Sequence, residues 1–218
     1  MLVIFDCDGV LVDSEPISNR ILARELTAIG LPTSTEDSMR DYMGRSWASC
    51  TAIVEERLGR ALPPGFAAGY HAAVFAAFET SLEPVAGIEE ALDRITLPCC
   101  VASSGAHERI RAALGVTGLL ERFEERIFSA TDVEHGKPAP DLFLHAAARM
   151  GFEPRDCVVV EDAPAGVQAG RAAGMTVLGY AGRTPAAQLE GARTFAAMAE
   201  LPGLVTDCAP RPAAGRSG

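Results

Sequence analysis

Four short apolar segments, residues 2–6, 99–103, 157–161 and 176–180, constrain the fold of this chain more than any other feature. Each is rich in valine, isoleucine or other apolar residues and is bounded by turn-forming residues. Runs of that kind suit strands buried on both faces of a parallel sheet. A weaker run covers residues 126–129. Helical patterns occupy residues 87–95, 106–114, 140–150 and 164–173, and Gly115, Gly151 and Gly174 follow the last three as stop signals. Strand alternating with helix through short connections predicts an α/β fold, a doubly wound parallel sheet with helices on both faces. Ligands of such sheets bind outside the carboxyl ends of the strands. The residues that close each strand are therefore the ones to read for chemistry.

Between residues 15 and 82 the rhythm is helical only. Pro16 stands near a helix start, Ile17, Ile21, Leu22, Leu26 and Ile29 share one side, and Gly30 is a stop. Ser46 can cap a second helix that carries Cys50, Ile53, Val54 and Leu58 and ends at Gly59. A third helix, over residues 64–80, carries Phe66, Tyr70, Val74 and Phe78. An all-helical insertion of this size reads as a cap domain, residues 15–82, over a core made of residues 1–14 and 83–206. The hinges are then residues 13–15 and 82–84. Residues 207–218, rich in Ala, Pro, Gly and Arg, read as a disordered tail.

Composition removes several classes of function. With 48% hydrophobic residues in 218 the chain can bury a sizeable core. A formal net charge of −10 argues against nucleic acid or an anionic membrane as partner, because both need a basic face. Met1 leads straight into the first strand, and no apolar run reaches the roughly 18 residues of a membrane span, so a cytoplasmic protein is expected. The six cysteines show no C-x-x-C spacing and read as free, mostly buried thiols.

The first strand ends on Asp6-Cys7-Asp8-Gly9. Alternation along an extended chain turns Asp6 and Asp8 to one side and Cys7 to the core. Two carboxylates so close repel by about 3 kcal/mol at an effective dielectric of about 20, so a cation or a shared proton belongs between them. The second strand ends on Ser103-Ser104-Gly105 ahead of a helix whose amino end favours anions. The strand over residues 157–161 ends on Glu161-Asp162. Lys137, in Gly136-Lys137-Pro138, is the only lysine among nineteen Lys and Arg residues, which marks a position needing a compact ammonium. Carboxylates, hydroxyls and an ammonium gathered at strand ends describe a magnesium site with open positions for water and a phosphate group. An EF-hand is excluded, since Val10 and Leu11 stand where the calcium loop needs an oxygen ligand and a glycine. Neither G-x-G-x-x-G nor a P-loop is present.

These ordered residues, Asp6-Cys7-Asp8-Gly9-Val10-Leu11-Val12-Asp13-Ser14-Glu15, Ser103, Gly136-Lys137-Pro138 and Val160-Glu161-Asp162, resemble the four motifs of the haloacid dehalogenase superfamily. More narrowly, they are similar to its phosphatase and phosphomutase branch, with a helical cap after the first motif. The resemblance implies Asp6 as nucleophile and Asp8 as acid and then base, with Ser103, Ser104 and Lys137 holding phosphate. It also implies Mg2+ held by Asp6, the main-chain carbonyl of Asp8 and Asp162, with Glu161 either a direct ligand or one step behind the ligands, and the metal and the Lys137 ammonium should keep Asp6 ionised. The implied activity is hydrolysis of a small phosphorylated metabolite, either phosphoglycolate, a hexose phosphate or a sugar-acid phosphate. A hexose-phosphate mutase and a catalytically silent phosphate- or metal-binding module are the alternatives. Mutases of the beta-phosphoglucomutase type carry an arginine in a G-x-S-R stretch and a histidine soon after the first motif. Here Gly44-Arg45-Ser46-Trp47 puts Trp47 at the arginine position, and Ser18 stands at the histidine position. Arg45 and Trp47 are accordingly the cap residues expected to meet the substrate, with Trp47 either stacked on a sugar face or packed in the cap.

Overall fold

The computed structural model describes residues 1–43, 45 and 47–208. Six parallel strands form one sheet in the order β3-β2-β1-β4-β5-β6. They are β1 (Leu2–Phe5), β2 (Cys99–Ser103), β3 (Ile127–Ser129), β4 (Cys157–Glu161), β5 (Thr176–Tyr180) and β6 (Arg193–Phe195). β1 lies between β2 and β4, with Val3 opposite Cys99 on one side and Val158 on the other. Strand order reverses on either side of β1, so the topological switch point of the sheet falls at its carboxyl end.

Each strand feeds both sheet faces, as period-two alternation requires. Val3, Phe5, Val101, Val158, Val160 and Leu178 join one apolar cluster, packed under α5 (Ile88–Arg94), α6 (His107–Val116), α7 (Leu120–Phe123) and α10 (Leu201–Cys208). Leu2, Ile4, Cys100, Ala102, Val159 and Val177 join the other, under α8 (Asp141–Met150) and α9 (Pro164–Ala172). Burial on both faces explains why these strands read as continuous apolar runs rather than alternating ones.

Four helices fill residues 15–81: α1 (Glu15–Ala28), α2 (Thr35–Tyr42), α3 (Trp47–Leu58) and α4 (Phe66–Ser81). Leu22, Leu26, Tyr42, Cys50 and Val54 form a small core of their own, while Ile17 and Ile21 of α1 and Val74 and Phe78 of α4 merge into the larger cluster beneath. The chain leaves and re-enters the sheet side by side. Asp13 N donates to Glu83 O at 2.9 Å and Val85 N to Leu11 O at 3.0 Å. Arg183, after β5, grips the Asp13 carboxylate with two hydrogen bonds.

Several features lie beyond what the sequence pattern predicts. α2, α7, α10 and β6 have no predicted counterpart, and α6 continues through Gly115, the true stop being Gly118 in the left-handed region at φ +73°. Asp207 and Cys208, expected in the tail, complete α10. The remainder of that tail, and the expected cap residue Ser46, lie outside the described residues. Among the described residues no helix is long and apolar enough to cross a membrane. All six cysteines are free.

Candidate active site

Pairing of β1 with β4 runs one step past the strand, Asp6 N donating to Val160 O at 2.9 Å, and the chain then turns sharply. The amides of Leu11 and Val12 both donate to Cys7 O, and Gly9 N donates to Val12 O. Gly9 sits at φ +78°, and a Cβ there would lie 2.1 Å from Asp162 Oδ2, so the turn excludes any side chain on two counts. Cys7 points into the core at 1% exposure.

The loop before α8 carries Lys137 to the mouth of the sheet. Its Nζ donates to Asp6 Oδ1 at 2.6 Å and to Glu161 Oε1 at 2.7 Å, and it stands 4.9 Å over the Phe143 ring. Glu161, 1% exposed, also accepts from Ala163 N through Oε2 at 2.8 Å. Gly166 makes the room, since a Cβ there would come within 1.7 Å of Glu161 Oε1. Asp6, Glu161 and Asp162, all buried, offer oxygens within 4.8 Å of one another. Two strand ends and two turns thus bring together four residues separated by up to 156 positions, 162 minus 6.

One expectation is corrected here. Burial pushes the Asp6 carboxyl up to about 7, a rise that Lys137 opposes and that Glu161 and Asp8 reinforce. Asp162 is raised well above the usual carboxylate range, first by burial and then by Glu161 and Asp6. Burial alone would lower Lys137, but Asp6 and Glu161 together hold it above its ordinary value. One ammonium does not offset the cost of sinking three carboxylates. The ionised Asp6 that the resemblance implies depends on a divalent charge that the protein's own side chains do not supply.

Asp8 faces a different set of partners. Its Oδ1 accepts from Ser14 Oγ at 2.6 Å and from Arg109 Nη2 at 2.9 Å, and its carboxyl group stands apart from the three-carboxylate cluster. Ser103 is 1% exposed and its Oγ accepts from Gly105 N at 3.2 Å, while Ser129 Oγ donates to Gly105 O, fixing the turn ahead of α6.

Asp6, Asp8, Ser103, Ser104, Lys137, Glu161 and Asp162 line one cavity of about 560 Å3, joined by Ser14 and Arg109. Its far wall is built from α1, α3, α4 and the connection before α3, and includes Glu15, Ser18, Asn19, Arg45, Trp47, Tyr70 and His71. Trp47 stacks on Tyr70, ring centroids 5.0 Å apart and 12° from parallel, and His71 leans against both rings. Arg45 is exposed and its Nε donates to Asp41 O at 2.8 Å. Glu15 is held by Asn19 Nδ2 at 2.8 Å, and Asn19 Oδ1 accepts from the buried Ser38 at 2.9 Å. Arg109, Glu15 and His71 were not singled out in the sequence. Glu15 lay within the first motif, whereas Arg109 meets Asp8 across 101 positions and has no local signature.

Residues 1–174 match the family model of the haloacid dehalogenase-like hydrolases. The chain belongs to that family. A 6-phosphogluconate phosphatase of Escherichia coli is 35% identical over 176 residues, 80% of each chain. A fructose-1-phosphate phosphatase of the same organism is 32% identical over 173 residues, 79% of this chain and 92% of its own. Among solved structures, a haloacid dehalogenase-like protein from Agrobacterium tumefaciens superposes with a TM-score of 0.87 at 36% identity, covering 94% of this chain and 97% of that one. Within the family the present chain is an enzyme, a phosphoric monoester hydrolase.

Proposed function

We propose that this haloacid dehalogenase-like hydrolase releases phosphate from a small sugar or sugar-acid phosphate, through an aspartyl phosphate on Asp6 and with Mg2+ as cofactor. The observation that carries the reading is the Lys137 ammonium, bonded at once to Asp6 and Glu161 beside Asp162 at the switch point of the sheet. Substrates of the two bacterial relatives motivate the choice of sugar and sugar-acid phosphates, and a cavity of about 560 Å3 has room for one.

The donor set fits a hard divalent cation. Three buried carboxylates face one ammonium, so their full ionisation would leave two negative charges without a partner, and Asp162 has no cation of its own among the described residues. Asp6, Asp162 and the Asp8 main-chain carbonyl would hold Mg2+, with Glu161 either touching the ion or orienting Lys137. When bound, the ion supplies positive charge against the phosphoryl oxygens.

In this mechanism Asp6 attacks phosphorus with a carboxylate oxygen, the bond from phosphorus to the ester oxygen breaks, and Asp8 gives its proton to that oxygen. Water then attacks the aspartyl phosphate, its proton passes to Asp8, and phosphate leaves with Asp6 restored. Lys137 and Ser103, helped by Ser104, orient the transferred group. The helical segment 15–82 acts as a cap that excludes water and chooses the substrate through Arg45 and the Trp47-Tyr70 pair. Mutase chemistry needs firm cap anchors for a reorienting intermediate. Ser18 offers only a hydroxyl at the cavity wall, and Trp47 is already stacked on Tyr70.

The test is phosphate release from a panel of phosphorylated sugars, sugar acids and glycolate, with and without Mg2+. Release from at least one sugar or sugar-acid phosphate that needs Mg2+ and vanishes in Asp6→Asn is expected. Persistence of hydrolysis in Asp6→Asn, or product isomers without free phosphate, overturns the reading.

A further inference from the structure

Arg109 lies on α6, a helix of the sheet layer, yet its guanidinium reaches across to two functional elements. Its Nη2 donates to Asp8 Oδ1 at 2.9 Å. Its Cζ stands 5.4 Å over the ring of Phe78, a residue of the inserted helix α4 that is itself 1% exposed. Its Nε is buried and has no hydrogen-bond partner among the described residues. An arginine placed for its own solvation would not leave that donor idle. The guanidinium is instead clamped by an aromatic shelf below and a carboxylate in front.

The other donor to Asp8 Oδ1 is Ser14 Oγ at 2.6 Å, from the point where the chain enters α1. Both donors therefore converge on one oxygen, and Oδ2 is left without a partner among the described residues, in the wall of the cavity. A carboxyl group held by one oxygen from two directions cannot rotate freely. Its other oxygen has a set heading toward whatever fills the cavity.

We propose that Arg109 is a positioning residue, which fixes the rotamer of Asp8 for proton transfer and ties it to the seating of α4. The inference rests on the role given above to Asp8 and adds a residue to it. Arg109 acts through Asp8 and not by gripping the substrate. A planar guanidinium can lie on Phe78 and still point one N–H at Asp8, whereas the shorter point charge of lysine cannot do both.

The experiment compares kcat/KM for Arg109→Gln, Arg109→Lys, Asp8→Asn and the double variant Asp8→Asn with Arg109→Gln. Each is measured on the best alkyl phosphate substrate and on p-nitrophenyl phosphate, whose leaving group needs no proton. Arg109→Gln is expected to lose about 10- to 100-fold in kcat/KM on the alkyl ester, mostly through kcat, and several-fold less on the aryl ester. Lysine should restore only part of it. In the Asp8→Asn background the Arg109 change should cost less than about threefold, because its route is already cut. Thermal unfolding of each variant checks that the fold persists. Equal losses on both esters, a loss carried by KM, or full additivity with Asp8→Asn would overturn the inference while leaving the proposed function standing. Undiminished activity of Asp8→Asn on the alkyl ester would overturn the role of Asp8 itself, and with it both.

Discussion

Lys137 is the residue on which the charge balance of the site turns. Replacing it by methionine keeps the volume but leaves Asp6 and Glu161 buried without a cation. Breaking a buried pair from one side costs about 3–5 kcal/mol, so Lys137→Met should lower the urea midpoint markedly at pH 8. The deficit should shrink toward pH 5, where the orphaned carboxyl groups take up protons. Phosphatase activity should fall by at least about 100-fold at either pH. A second outcome follows from Asp6, whose value of about 7 stands above its ordinary 3.8. The folded, metal-free protein binds more protons than the unfolded chain between those limits. The stability contributed by this group is full below about pH 4 and is lost as pH rises through 7. Mg2+ competes with the same proton and with that of Asp162, so its affinity by calorimetry should rise with pH through about 7. Most of these side chains were legible in the sequence because motif residues at strand ends can only gather at the switch point. Arg109 was not, since a contact spanning 101 positions leaves no trace in local pattern. The raised Asp6 was missed because burial depth is a property of the assembled turn, which Gly9 and Asp162 make together.

At the scale of elements, strands and helices were readable in proportion to how much apolar surface they bury. β1, β2, β4 and β5 declare themselves by composition, and the Gly151 stop of α8 matches a left-handed C-cap at φ +77°. α2 escaped because Thr35–Tyr42 buries only Ser38 and Tyr42 and carries no apolar stripe. It is held instead by polar means. Ser34 and Asp37 form a capping box, Arg40 pairs with Asp37, and Arg57 of α3 reaches Asp41 at 2.7 Å. Ser34→Ala should therefore cost about 1 kcal/mol, read as a lowered denaturant midpoint with unchanged slope. β6 escaped for a related reason, since of Arg193–Phe195 only Phe195 is buried at the sheet edge. α6 overran its expected end because glycine inside a helix weakens it by only about 1 kcal/mol, and Val116 and the turn at Gly118 complete the last turn.

At the scale of the whole molecule, one sheet and one set of inserted helices divide the labour. The sheet delivers Asp6, Ser103 and Glu161 from three neighbouring strands, with spacing fixed by pairing registers such as Phe5 opposite Val101 and Val160. The helices close the far wall of the cavity, and their roots are bound to the core by Ile17, Ile21, Val74 and Phe78. A net charge of −10 over the chain means that phosphate binding must be local, and the cavity answers with Lys137, Ser103 and the amino end of α6. The most direct test of this account is a crystal structure of the protein with Mg2+ and beryllium fluoride, a mimic of a phosphoryl group on a carboxylate. The account predicts the fluoride on Asp6 in contact with Lys137 and Ser103, with the ion shared by Asp6 and Asp162. Fluoride bound elsewhere, or an ion that leaves Asp6 untouched, would contradict it.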